Sequence, residues 1–215
     1  MLQRDYLLRM TEMLASVLAK VLFNRENKNY EEAEKEIETA AKTIVGLDLR
    51  IINILKPDDI IRLMKTTDLY AGRCLVSAEL LKEYADVHEL NGKESASIML
   101  KSLLLYIEAL LSKDLPEPEK YFAKVNELIA KIPENLVSDE LNSRIIDYYE
   151  FSGQYSKAED LIFDLIENKS KDIIERSISF YKKLQHRTDE ELVSGNLSRE
   201  EVNDALEEIL KIKDK

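Results

Sequence analysis

The chain has 215 residues, of which 45% are hydrophobic and 34% charged, enough apolar content for a sizeable core under a heavily charged surface. Only five Gly and four Pro interrupt it, which favours long helices joined by short loops. The formal charge is −11 and uneven: residues 1–110 carry 18 acidic and 15 basic side chains, residues 111–215 carry 24 and 16. Such a surface repels phosphate backbones and anionic lipid, so the expected partners exclude nucleic acid and membrane and favour a basic peptide or protein.

In chain order, Leu7, Met10, Leu14, Val17 and Val21 recur at three- and four-residue steps, with Leu18 and Leu22 widening the stripe. This predicts a helix over about residues 3–24 with a broad apolar face. Asn29 stands where it can cap a second helix, with Glu32 in capping-box register. Ala33, Ile37, Ala40, Ala41 and Ile44 are that helix's core side, and Gly46 is its C-terminal cap. Residues 47–68 read as short pieces, in which Pro57 opens a turn with Asp58 and Asp59 near its N-terminus. A helix over about 69–90 ends at Asn91-Gly92. The next, over about 94–112, carries so many apolar residues between Ile98 and Leu111 that several neighbours must bury it.

Pro116 and Pro118 mark a bend near 113–118, before a helix with Tyr121, Phe122, Val125, Leu128 and Ile129 that stops at Ile132-Pro133. Ser138 can cap a helix running to Phe151, Gly153 turns the chain, and Tyr155 or Ser156 opens a helix reaching about Asn168. A further helix spans about 172–185. Ser194-Gly195-Asn196 reads as a loop, followed by a last helix with a Ser198/Glu201 capping box. No stretch sustains period-two alternation, so the expectation is a single all-α domain over 1–215 with no sheet.

The stretch from Ile145 to Ala158 resembles a tetratricopeptide repeat: large residues on a first helix, Gly153 at the turn, Tyr155 two later, then Ala158. Asn29-Tyr30-Glu31-Glu32-Ala33 with Ile37 and Ala40 echoes its second half. Asn91-Gly92-Lys93-Glu94-Ser95-Ala96 with Leu100 and Leu103 echoes it with one turn residue missing. There is no Trp, no Pro closing each unit and no fixed period. The segment Asp5-Tyr6-Leu7-Leu8-Arg9-Met10-Thr11-Glu12 resembles the opening of an uncharacterised tetratricopeptide-like family of low-GC Gram-positive bacteria. Tyr30 to Ala33 and Gly46-Leu47-Asp48-Leu49 lie where that family would place them. The resemblance implies stacked helical hairpins in a right-handed superhelix, and it implies no activity or ligand.

Chemistry has few candidates. Cys74 is the single cysteine and sits in an apolar setting that suits a buried thiol. His88 lies near a helix C-terminus, where the dipole favours its cation, and His186 reads as solvated surface. The acidic run Glu31, Glu32, Glu34, Glu36 and Glu38 is spread around its helix, and no Glu-x-x-His, HExxH, EF-hand or Gly-rich phosphate motif occurs. Neither an enzyme nor a cofactor or metal is expected. Among the aromatic residues, Tyr149, Phe163 and one of Phe180 and Tyr181 are expected in the core.

The repeat alignment places Glu140, Ser143, Arg144, Asp147, Glu150 and Phe151 on a groove. That surface suits a basic or amphipathic protein segment. The expected function is therefore a protein–protein interaction module. The alternatives are a structural homodimer through the apolar N-terminal helix and a receptor for a small signalling peptide. The N-terminus lacks a signal-peptide pattern, with Asp5, Arg9 and Lys20 interrupting it, so the expected location is cytoplasmic.

Overall fold

The computed structural model describes residues 2–66, 69–168 and 173–213. Every regular element among them is helical. The chain is organised as two compact units, Met1–Leu136 and Val137–Lys215.

The first unit opens with α1 (Leu2–Glu26) and α2 (Tyr30–Ala40), which pack against each other as a hairpin. Met10, Leu14 and Val21 of α1 and Ala33 and Ile37 of α2 are all buried, and the small Ala33 lets the backbones approach. After Ala40 the helix widens into a π-helical turn, Ala41–Val45, and stops at Gly46. There φ is +74°, the left-handed conformation that a glycine adopts without penalty. The capping box expected at Asn29 does not form: its side chain makes no bond to the helix start, and Glu32 faces Lys35 at 3.2 Å. The reason is geometric. Asn29 has φ −87° and ψ 62°, outside the extended range that aims a capping side chain at the next turn.

Residues 47–66 supply two short helices, α3 (Leu49–Ile54) and α4 (Pro57–Met64); residues 67 and 68 of the expected broken segment lie outside the described residues. Asp48 caps α3 by accepting the Arg50 N–H at 3.0 Å, and Pro57 stands at the first position of α4, where no N–H is needed. The central hairpin is α5 (Tyr70–Leu90) with α6 (Ala96–Leu111); α1 and α2 both pack on α5. On its other sides α6 meets α3, α4 and α7 (Phe122–Lys131). That explains its apolar circumference: Leu103, Leu105, Tyr106, Ile107, Ala109 and Leu110 are all fully buried. The expected bend before α7 is built from left-handed residues at Lys113 (φ 61°) and Glu117 (φ 52°) and a 3-10 turn, Pro118–Tyr121.

The second unit contains α8 (Asp139–Phe151), α9 (Tyr155–Glu167), α10 (Ile173–Leu184), α11 (Asp189–Ser194) and α12 (Arg199–Lys213). α8 and α9 form a hairpin, α10 packs on both, and α12 packs on α10. Ser138 caps α8, and the Ser198/Glu201 box forms reciprocally, with bonds of 2.7 and 3.1 Å. The helix α11 was not expected from the sequence. Its signal was there: the Thr188 hydroxyl accepts the Glu191 N–H at 3.2 Å, and the Glu191 carboxylate accepts the Thr188 N–H at 2.9 Å. Tyr148, Phe180 and Tyr181 are all fully buried, whereas Phe163 is half-buried, which corrects the expected aromatic core. With neighbours on several sides, α10 buries two adjacent residues 100° apart.

The three hairpins with related sequences close with the same backbone bonds. Asn29 donates to the Asn24 carbonyl (2.8 Å) and Lys28 to Arg25 (3.0 Å); Lys93 donates to His88 (2.8 Å) and Gly92 to Glu89 (3.0 Å); Gln154 donates to Tyr149 (2.9 Å) and Gly153 to Glu150 (3.4 Å). Each is a Schellman turn around one left-handed residue: Lys28, Gly92 or Gly153. The α11–α12 turn repeats it with Asn196 in that role. Ala33 and Ala158, at matching distances after their turns, have no exposed surface. The central hairpin departs: α6 begins later after its glycine, and Ala96 is only half-buried. Its close approach is made instead where the buried Ser102 hydroxyl donates to the Ala78 carbonyl at 2.8 Å.

In the second unit the α8–α9 turn seats on the α11–α12 turn. The Ser156 N–H donates to the Gly195 carbonyl at 3.0 Å, and the buried Tyr155 ring lies flush against Gly195.

Candidate partner-binding surfaces

Among the groove residues read from the sequence, Glu140 is exposed, and Ser143, Arg144, Asp147, Glu150 and Phe151 are half-buried along α8. The structure brings Asp147 and Glu150 together beneath two cations from α10. The Arg176 guanidinium donates to Asp147 and, at 3.2 Å, to Glu150, while the Lys183 ammonium donates to Glu150 at 2.8 and 3.1 Å. Arg144 lies 3.6 Å from Glu140 on its own helix. Sequence reasoning missed Arg176 and Lys183, although their spacing of seven places them on one face of α10. A basic guest at Asp147 and Glu150 meets acids that are already matched. Beside this seam, Glu175, Ile178, Ser179, Lys182 and Lys183 of α10 and His186 of the turn after it line a shallow, open hollow.

A second surface lies on α1. Its inner face fills the core, yet Tyr6, Leu8, Met13, Leu22 and Phe23 remain between 45% and 64% exposed. Leu8, Ala15 and Leu22 repeat at seven residues, with Thr11 and Leu18 between them, so that they share one flank of the helix. By periodicity Leu18 and Leu22 widen the apolar stripe. In the structure Leu18 is half-buried and Leu22 is 53% exposed.

The titratable groups elsewhere have structural neighbours. The His88 ring lies tilted by 45° against Tyr84, with centroids 4.4 Å apart, and its Nε2 lies 3.7 Å from Glu34, which also accepts from Lys93 at 2.6 Å. Tyr84 in turn donates to Glu38 at 3.2 Å. This cluster clamps α2 to the α5–α6 turn. The acidic run on α2 is thereby dispersed as its spacing implies: Glu34 and Glu38 face α5, and Glu36 faces Lys20 of α1 at 3.7 Å. Glu79 is buried on α5 and accepts two bonds from Lys124, at 2.6 and 2.7 Å. Beside it the Tyr106 phenol is raised well above its ordinary pKa, by burial first and then by the Glu79 charge. Cys74 is fully buried, and burial pushes its thiol up to about 12, too high for a nucleophile at neutral pH. Lys101, also buried, donates to the Asn53 carbonyl, and desolvation lowers its pKa. Among the described residues no three His, Cys, Asp or Glu side chains converge as a metal site, and no helix is long and apolar enough to cross a membrane.

These features define an all-helical protein of paired helices, with an ion-paired seam in one unit and an uncovered apolar flank in the other. The chain belongs to the family of unknown function DUF6483, whose model matches residues 1–214. No curated protein and no solved structure matches it.

Proposed function

We propose that the chain is a non-catalytic protein-interaction module of tetratricopeptide-like hairpins that holds a peptide or protein segment in the cytoplasm. The architectural half of this reading is supported by the turn shared between three hairpins and by Ala33 and Ala158, buried at matching positions. Both accord with the resemblance to tetratricopeptide-like proteins of low-GC Gram-positive bacteria. The binding half is carried by one observation: the outer flank of α1, where Leu8 and Leu22 are each more than half exposed although the inner face of the helix is buried. Apolar side chains so grouped are a liability in a chain that meets no partner and an anchor in one that does. The groove of Glu140, Ser143, Arg144, Asp147, Glu150 and Phe151 is a further candidate surface. It would admit a basic segment only by exchanging ion pairs with Arg176 and Lys183.

A structural homodimer is the second reading, and the same α1 flank favours it. A photo-crosslinking side chain placed at Leu22, at Phe151 and at the exposed Glu207 in living cells separates the possibilities. The interaction module predicts a crosslink from Leu22 to a different polypeptide and none from Glu207. A crosslink from Leu22 only to another copy of the chain selects the homodimer, and one from Phe151 alone moves the site to α8. Silence at both Leu22 and Phe151 refutes the proposal.

A further inference from the structure

We infer that Asn91 and Gly92 form a self-modifying site: Asn91 deamidates through a cyclic imide, and the clamp between α2 and the α5–α6 turn sets the rate. Asn91 is the one asparagine of the chain followed by glycine, and both residues are exposed. The chemistry needs only these two residues and water. The Gly92 backbone nitrogen attacks Cγ of the Asn91 side chain and a new C–N bond closes a succinimide. The side-chain nitrogen leaves as ammonia, with the proton given up by the Gly92 N–H. Water then opens the ring at one of its two carbonyls, leaving aspartate or, where the chain runs on through Cγ, isoaspartate. Glycine permits the attack because no side chain shields its nitrogen. At Gly92 no atom lies within 4 Å of the place a Cβ would occupy.

The folded turn holds the reaction off. Ring closure requires the Asn91 Cβ and the Gly92 nitrogen on the same side of the Cα–C bond. At the observed ψ of 7° the Asn91 nitrogen takes that place instead. Turning ψ breaks the bonds that define the turn, from the Gly92 N–H to the Glu89 carbonyl at 3.0 Å and from the Lys93 N–H to the His88 carbonyl at 2.8 Å. It also displaces Lys93, whose ammonium donates to both carboxylate oxygens of Glu34 at 2.6 and 2.9 Å. Glu34 thus guards Asn91 from another helix. The product does not fit the turn it came from. Isoaspartate adds a carbon to the backbone, so the two bonds no longer close in register. Aspartate puts a negative charge at a helix C-terminus, where the dipole opposes it, beside a hollow that residue 91 shares with Glu31 and Glu32. Each opening of the clamp therefore carries a chance of loosening it for good.

The test incubates the full chain at mildly alkaline pH and follows tryptic peptide 83–93, whose amide, aspartate and isoaspartate forms separate by chromatography and mass. Chain unfolded in guanidinium should convert at least about tenfold faster than folded chain. Glu34→Ala should raise the folded rate by about threefold. Gly195→Ala, which crowds Tyr155 in the second unit, should leave that rate unchanged and so separates local opening from general loss of stability. Folded chain aged to the isoaspartate form should melt lower than fresh chain, and an Asn91→Gln chain aged alongside should not change. Equal rates in the folded and unfolded chain overturn the inference, as does a folded chain in which peptide 83–93 stays unconverted. So do an unmoved rate in Glu34→Ala, an acceleration that Gly195→Ala matches, and conversion at another asparagine ahead of Asn91.

Discussion

The contact between the two turns of the second unit makes Gly195 the most crowded of the five glycines. Its φ of −88° suits any residue, so the constraint is space alone. A Cβ there would lie 2.3 Å from Cδ2 and 2.8 Å from Cγ of Tyr155, and 2.8 Å from the Gly153 carbonyl oxygen. The nearest distance is more than 1 Å inside ordinary van der Waals contact, which begins at 3.4 Å. The ring cannot swing aside freely, because Tyr155 is buried at the first position of α9. Nor can the carbonyl, since Gly153 is held in the left-handed turn. Overpacking of this kind costs about 3 kcal/mol, of which roughly 0.5 kcal/mol returns because alanine restricts the unfolded chain. Gly195→Ala should therefore destabilise by about 2.5 kcal/mol, a drop in Tm of about 5–10 °C for a protein of this size. Urea and thermal unfolding measure it. On a Tyr155→Ala background the added cost should fall by at least half, because the ring that is struck is gone. An unchanged melt for Gly195→Ala, or strict additivity in the double variant, would refute the docking of the two turns.

Other perturbations test other contacts. Lys28 holds the left-handed position that glycine occupies in the two related hairpins, so Lys28→Gly should raise stability by about 1 kcal/mol in urea titration. Lys124→Met strands the buried Glu79 carboxylate and should cost about 3 kcal/mol, most of which Glu79→Met in the same chain should restore. Lys101 has a folded-state pKa lowered from 10.5 by desolvation, so the unfolded chain binds the proton more tightly. Its penalty is full below the folded value and shrinks as pH rises towards 10.5. Lys101→Met should thus stabilise at neutral pH and remove an upward slope of stability on the alkaline side, read from unfolding midpoints at successive pH values.

Much of the helical order was legible because its causes are local. The periodic leucines of α1 and the near-continuous apolar run of α6 announced helices and the number of their neighbours. Gly46, Gly92 and Gly153 mark left-handed turns because few other residues adopt that conformation cheaply. Ser138 and Ser198 capped as their spacing implied, and α11 could have been read from Thr188 and Glu191 by the same rule. Asn29 shows the limit of such rules: it has the right side chain and register, but the turn before it fixes a backbone angle that points the amide elsewhere.

The surfaces were less legible. Asp147 and Glu150 read as open acids because nothing in the order of residues reveals that Arg176 and Lys183, on another helix, reach over them. Leu22 read as part of one broad apolar face, because periodicity gives the width of such a face and not how much of it the neighbours cover. Gly195 read as loop because a missing Cβ gains meaning only when a ring from a distant turn arrives at that spot. By itself the sequence determined the all-helical class, most helix ends and the composition of the core, all set by near-neighbour sterics, hydrogen bonds and hydrophobic period. Which charges are matched, which leucines stay in water and which glycine admits no side chain were decided by the tertiary structure, because each depends on residues far apart in the chain meeting at one place.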